Sequence, residues 1–124
     1  MATSVKVLAV DDHLRFLDVI HAVVDAAPGF TWAGGATCGT QALDEADLKD
    51  PDLVLIDVNM PEMDGVEVAR RLLDRHPEAL VALISAHHPD ELPRAAGESG
   101  VEAVLPKESL SPTWLRDFWA ENRR

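Results

Sequence analysis

Short apolar runs alternate with longer segments of helical periodicity along this chain, and the alternation repeats about five times. The strongest run, Leu53-Val54-Leu55-Ile56, places four consecutive aliphatic residues before Asp57. A strand that is apolar on both faces is typical of the centre of a parallel sheet, because helices cover both faces of such a sheet. The alternation therefore predicts an α/β fold built from parallel βα units.

The periodicities also give boundaries for these units. Strands are predicted at residues 5–10, 30–37, 53–57, 80–85 and 101–105. Helices are predicted at residues 14–27, 39–49 and 65–76, then as a weaker fourth helix that starts near Pro89 or Pro93 and is interrupted by Gly97 and Gly100, and finally from Pro112 toward Arg124. Right-handed crossovers then give a doubly wound, five-stranded parallel sheet with five helices on its two faces.

Length and charge limit the classes of function. The 124 residues, 47% of them hydrophobic, suit one compact domain over residues 1–124. Eleven Lys and Arg against 22 Asp and Glu give a net charge of −11, which repels a phosphate backbone. We therefore expect no direct binding of nucleic acid.

The single cysteine and the hydropathy indicate the compartment. Cys38 has no partner for an intrachain disulfide, as is usual in a reducing cytoplasm, and we interpret it as a small filler at a strand end. No apolar run approaches the roughly 20 residues of a membrane span. The prediction is a cytoplasmic protein without a membrane segment.

Polar residues follow four of the predicted strands. Asp11 and Asp12 follow the first strand, Asp57 ends the third, Ser85 ends the fourth, and Lys107 comes two residues after the fifth. Because ligands bind at the carboxyl ends of strands in open parallel sheets, we expect these side chains to share one site. Taken singly, each residue also fits a helix cap, a strand end or a solvated charge.

The three carboxylates together point to metal-assisted phosphoryl chemistry. Crowded carboxylates repel one another unless a cation neutralises them, and oxygen ligands of this kind suit Mg²⁺. A carboxylate can also act as a nucleophile and form an aspartyl phosphate. Lys107 and Ser85 would then neutralise the phosphoryl oxygens.

Several stretches resemble the receiver domain of two-component response regulators, which has a flavodoxin-like sheet of strand order 2-1-3-4-5. The matching stretches are residues 7–13 (VLAVDDH), residues 57–65 (DVNMPEMDG), Ser85-Ala86 and Lys107. The resemblance implies phosphorylation of Asp57 by a histidine kinase or phosphotransfer protein, and a switch in partner binding or dimerisation. It implies that a Mg²⁺ ion is held by Asp11, Asp12, Asp57 and the backbone carbonyl of Asn59, and that Asp57, Ser85 and Lys107 carry the chemistry.

Two departures from that family concern the switch. Val104 stands where the family usually has an aromatic residue, and Lys107 is followed by Glu108 rather than by proline. The segment from Leu105 to Pro112 resembles the receivers that are usually joined to a LuxR-type or NarL-type DNA-binding domain. Asn59 and His87 fall where the family tunes hydrolysis of the phosphoryl group, although an exposed histidine is the simpler interpretation of His87.

The remaining features admit structural interpretations. Trp114, Leu115, Phe118 and Trp119 make an apolar stripe on the last helix, most simply its core face, with a partner or dimer contact as the alternative. His76, His87 and His88 match no helical metal-ligand spacing and are interpreted as surface residues.

Three other functions compete with the phosphoacceptor. A phosphohydrolase of the haloacid dehalogenase kind would need a second acid where Asn59 stands. The other two are an interaction module that works without phosphorylation and a receiver fragment of a DNA-binding regulator. The favoured prediction is a signalling module rather than an enzyme.

Overall fold

The computed structural model describes residues 4–86 and 101–122. Its five parallel strands form one sheet in the order β2-β1-β3-β4-β5, with bounds Val5–Val10 (β1), Phe30–Ala36 (β2), Leu53–Asp57 (β3), Leu80–Ser85 (β4) and Ala103–Pro106 (β5). The α-helices in these ranges are Leu14–Ala26 (α1), Gly39–Lys49 (α2), Gly65–Arg75 (α3) and Pro112–Asn122 (α4). The predicted doubly wound fold and its strand order are confirmed.

The strand β3 lies at the centre of the sheet, between β1 and β4. All five of its residues are buried, as its unbroken apolar run predicts. Val10 pairs with Ile56, and Asp57 pairs with Ile84, so the carboxyl ends of the three central strands lie at the same edge. This register brings Asp11 and Asp57 to adjacent strand ends.

Alternate strand residues build two separate core layers. On β1, Val7 and Ala9 pack with α1 and α4, whereas Leu8 and Val10 pack with α2 and α3. The period of two along the strand therefore divides the apolar side chains between the two faces of the sheet.

The boundaries differ slightly from those predicted. The strand β5 begins at Ala103 and includes Pro106, which an edge strand tolerates because one side of its backbone needs no sheet hydrogen bond. Helices α1 and α3 each end one residue early, at caps Ala27 and His76. The predicted fourth helix, together with His87 and His88, falls in residues 87–100, outside the described ranges.

The C-terminal helix α4 buries part of its apolar stripe. Leu115 is fully buried and Phe118 nearly so, and both belong to the layer that holds α1. The Trp114 ring stacks on Phe118 with centroids 4.8 Å apart, while Trp114 and Trp119 stay partly exposed. The core interpretation is confirmed for Leu115 and Phe118, and the interface interpretation of the tryptophans stays a prediction.

Two residues make contacts that the sequence does not predict. His76 is a partly exposed residue whose Nε2 lies 2.9 Å from the carboxylate of Asp47. Cys38 is the N-cap of α2, where the Thr40 hydroxyl, followed by the backbone of Gln41, lowers the pKa of its thiol. Neither contact follows from the flanking sequence alone.

No helix within residues 4–86 and 101–122 combines the length and apolar character needed to span a bilayer.

Candidate functional site

The polar residues at the strand ends gather at one edge of the sheet. Asp11 directly follows β1, Asp57 is the last residue of β3, and Ser85 is the last residue of β4. Ser85 pairs with Pro106, and Lys107 therefore begins the 3₁₀ turn Lys107–Ser109 at the same edge. Parallel pairing thus assembles, from four separate stretches of sequence, the residues that the sequence predicts for the site.

Two carboxylates of this cluster are buried. Asp11 is fully buried, and Asp57 is 2% exposed. The Lys107 ammonium lies 2.8 Å from Oδ2 of Asp11 and 3.7 Å from Oδ2 of Asp57. Because an isolated buried carboxylate is costly, this lysine supplies a compensating positive charge from within the described part of the chain.

The backbone after β3 contributes a further contact. The Asn59 N–H donates a hydrogen bond of 3.3 Å to Oδ1 of Asp57, while the Asn59 residue is exposed. Gly65 N–H donates to the carbonyl of Val58, which brings the start of α3 against the end of β3. A Cβ at Gly65 would clash with the Asp57 carbonyl and lie 2.9 Å from the Val58 Cα, so the close approach requires glycine.

His13 covers the acidic cluster from the start of α1. Its Nδ1 lies 3.0 Å from Oδ1 of Asp11, 3.2 Å from Oδ1 of Asp12 and 4.0 Å from Oδ2 of Asp57. Its backbone N–H also donates to Asp11. Sequence reasoning gave His13 no role, and the available signal was its position directly after the Asp pair.

The electrostatics of the cluster disfavour a charged Asp57. Burial, followed by the negative charge of Asp11, raises the pKa of the Asp57 carboxyl from 3.8 to about 6. The Lys107 ammonium and the Asn59 N–H act in the opposite direction without cancelling the rise. The chain thus leaves negative charge at this edge that is only partly compensated.

The donor atoms fit a hard divalent cation. One ligand atom from each of Asp11, Asp12, His13 and Asp57 can be chosen so that all lie within 4.8 Å of one another. The buried Oδ2 of Asp11 and Oδ1 of Asp12 accept no hydrogen bond, although the Lys107 ammonium lies 2.8 Å from the first and the His13 Nδ1 lies 3.2 Å from the second. Unsatisfied carboxylate oxygens suit Mg²⁺, which prefers oxygen ligands.

Phe16 is a second residue that sequence reasoning missed. The Lys107 Nζ lies 4.4 Å from the centroid of the Phe16 ring, in a cation–π contact. Phe16 stands one helical turn after Asp12, which is the only signal in the sequence that it faces the site. Val104, at the family's usual aromatic position, packs with the other core layer.

Comparison with known protein families shows the family to which the chain belongs. The family described as "Response regulator receiver domain" matches residues 7–116. The chain belongs to this family. The match covers most of the chain and decides against the phosphohydrolase alternative.

Curated relatives and solved structures agree with a receiver. The transcriptional regulatory protein DegU of Brevibacillus brevis is 28% identical over 85% of this chain and 44% of that protein. The nitrate/nitrite response regulator NarL of Escherichia coli is 30% identical over 82% of this chain and 47% of that protein. The chain spans about half the length of these relatives.

A solved receiver has the same architecture. The signal receiver domain of the NarL response regulator from Mycobacterium tuberculosis superposes with a TM-score of 0.85 at 28% identity, over 98% of this chain and 99% of that one. The predicted resemblance to receivers of the NarL and LuxR type is therefore confirmed.

Proposed function

We propose that this receiver takes a phosphoryl group onto Asp57 from a histidine kinase or phosphotransfer protein. The observation that carries the proposal is the buried Asp57 carboxylate at the end of β3, with the Lys107 ammonium 3.7 Å away and the Asp11 and Asp12 carboxylates beside it. A nucleophile, a compensating cation and a set of oxygen ligands thus lie within one cluster.

The chemical step is a simple displacement. An oxygen of the Asp57 carboxylate attacks the phosphorus of the donor, a new P–O bond forms, and the donor's P–N bond breaks with the electron pair leaving on the imidazole. Negative charge spreads over the phosphoryl oxygens as this happens. Lys107 is placed to neutralise part of that charge, and the proposed role of the Ser85 hydroxyl is to donate to a second oxygen.

The acidic cluster is proposed as the Mg²⁺ site. Asp11, Asp12 and Asp57 would hold the ion by their carboxylates, with the Asn59 backbone carbonyl as a further ligand. When bound, Mg²⁺ supplies charge neutralisation for the carboxylates and for the transferring phosphoryl group. The buried Oδ1 of Asp12, which accepts no hydrogen bond, supports this assignment.

The proposed output is a change in affinity for another protein. Phosphorylation replaces the single negative charge of the Asp57 carboxylate by roughly −1.5 to −2 charges at pH 7, at an edge that is already acidic, so the contacts of Lys107 must redistribute. The consequence is a shift between two populations that differ in dimerisation or in binding a downstream target. We propose no turnover of a separate substrate beyond slow self-catalysed loss of the phosphoryl group.

The proposal extends to the organisation of the protein. Residues 1–124 would act as one receiver domain in the cytoplasm, without direct contact to nucleic acid or membrane. The alternatives that stay open are a module that binds without phosphorylation and a receiver that is part of a longer DNA-binding regulator.

The direct test is intact-protein mass spectrometry after incubation with Mg²⁺ and acetyl phosphate or phosphoramidate. We expect a gain of about 80 Da, one phosphoryl group, that is abolished by EDTA and by Asp57→Asn. Asp18→Asn is the matched control, since Asp18 is an exposed carboxylate on α1 outside the cluster. An adduct that survives in Asp57→Asn would refute the assignment of the acceptor.

If neither small-molecule donor gives an adduct with the wild-type protein, the protein is next incubated with a purified histidine kinase or phosphotransfer protein that carries labelled phosphate. Absence of transfer from both kinds of donor would favour the module that binds without phosphorylation.

A further inference from the structure

Among the described residues, the Lys107 ammonium lies close to two carboxylates and one aromatic ring. Its Nζ lies 2.8 Å from Oδ2 of Asp11, 3.7 Å from Oδ2 of Asp57 and 4.4 Å from the centroid of the Phe16 ring. The side chain of Lys107 is 16% exposed. The closest partner is Asp11 rather than the proposed acceptor.

The two ion pairs weaken when the cluster is neutralised. A cation bound by Asp11 and Asp57 would offset the charges that hold the Lys107 ammonium and would itself repel that ammonium. The Phe16 ring is neutral, and its attraction for an ammonium comes from the quadrupole of its π-system. This contact therefore persists when the carboxylates are no longer free to attract Lys107.

The position of Phe16 is fixed by the start of α1. Its backbone N–H donates to the carbonyl of His13 over 3.0 Å, in the turn that directly follows the Asp pair. Its side chain packs against the core layer shared by α1 and α4. The ring is thus carried by the helical turn that directly follows Asp11 and Asp12.

We infer that Phe16 is a positioning residue, whose ring holds the Lys107 ammonium beside Asp57 while phosphoryl transfer takes place. The inference rests on the proposed function and adds to it a residue that acts through Lys107 rather than by touching the phosphoryl group. Within residues 4–86 and 101–122, this is the one cation–π contact.

The test compares initial rates of phosphorylation by phosphoramidate in saturating Mg²⁺. Phe16→Leu keeps an apolar side chain but removes the ring, and we expect it to slow the reaction about 3- to 10-fold. Phe16→Tyr keeps the ring and should stay within about 2-fold of the wild type. Phe30→Leu is the matched control, because Phe30 is also partly buried against the same core layer but lies at the opposite end of the sheet.

A double-mutant cycle separates positioning from a general structural role. In a Lys107→Met background the ammonium is gone, so Phe16→Leu should change the remaining rate by less than about 1.5-fold. Equal slowing by Phe16→Leu in both backgrounds, or a Phe16→Tyr protein as slow as Phe16→Leu, would overturn the inference.

A second cycle measures the contact without any phosphoryl donor. This cycle compares urea unfolding of the wild type, Phe16→Leu, Lys107→Met and the double variant. Their equilibrium constants for unfolding should show a coupling of about 2- to 5-fold between Phe16 and Lys107. Additive effects would overturn the inference even if Asp57 is phosphorylated. If the two residues are coupled but no donor phosphorylates the protein, the contact between Phe16 and Lys107 is supported and the proposed function is refuted.

Discussion

Replacement of Asp57 by asparagine should stabilise the metal-free protein at neutral pH. Burial, followed by the charge of Asp11, raises the pKa of Asp57 from 3.8 to about 6. At about 1.36 kcal/mol per pKa unit, keeping this group ionised in the folded state costs at most about 3 kcal/mol. Asparagine is nearly isosteric and carries no charge, so the variant escapes this cost.

The sign of the pH dependence follows from proton linkage. The folded-state pKa of Asp57 lies above its unfolded value, so the native protein binds this proton more tightly between about pH 4 and pH 6. The free energy of unfolding of the wild type therefore falls as the pH rises through that window. The cost is fully present above it and absent below about pH 4.

Urea unfolding in EDTA, followed by tryptophan fluorescence, measures the difference. At pH 7.5 we expect Asp57→Asn to be more stable by about 1 to 3 kcal/mol, a rise of roughly 1 M in the urea midpoint. At pH 4 the two midpoints should converge. A variant no more stable than the wild type at pH 7.5, or one whose advantage is the same at pH 4, would refute the reasoning.

Glu67→Gln provides a control with the opposite sign. The side chain of Arg71, helped by Arg70, holds the pKa of Glu67 below its ordinary value, so ionisation of Glu67 favours the folded state. This variant should lose stability at neutral pH and approach the wild type as the pH falls. A general effect of acid on stability would instead shift the urea midpoints of both variants, relative to the wild type, in the same direction.

Four further predictions concern the metal, a glycine, the core and the surface of α4. Mg²⁺ should raise the Tm of the wild type in differential scanning fluorimetry, and less so that of Asp12→Asn, because the ion binds the folded acidic cluster. Gly65→Ala should lower the urea midpoint and slow phosphorylation at least several-fold, because a Cβ clashes with the Asp57 backbone. Leu115→Ala should cost about 2–5 kcal/mol in urea unfolding, because Leu115 is fully buried. Trp119→Ala should cost less stability than Leu115→Ala, and any loss of dimer in sedimentation would identify an α4 interface.

The fold was predictable because its signals are periodic and repeated. The apolar run at Leu53–Asp57 predicts a central strand, and the strand order follows once the chain is recognised as receiver-like. The gathering of Asp11, Asp57 and Lys107 could also be predicted, since parallel strands bring their carboxyl ends to one edge. Their distances required the register of the sheet.

The features that sequence reasoning missed are single tertiary contacts. Nothing near His76 in sequence indicates Asp47, which lies 29 positions away on α2. The contact between Phe16 and Lys107 joins the first helix to the turn after the last strand. Such contacts depend on how two elements pack, and no periodic pattern in either element encodes them.

The place of Asp57 and its electrostatics have the same physical origin. A central parallel strand is covered on both faces, so a carboxylate at its last residue is desolvated by the sheet itself. Neighbouring strand ends can supply compensation only from the same edge, and there Asp11 opposes Lys107. The topology that locates the acceptor therefore also leaves it, among the described residues, short of positive charge, and a bound cation would relieve that imbalance.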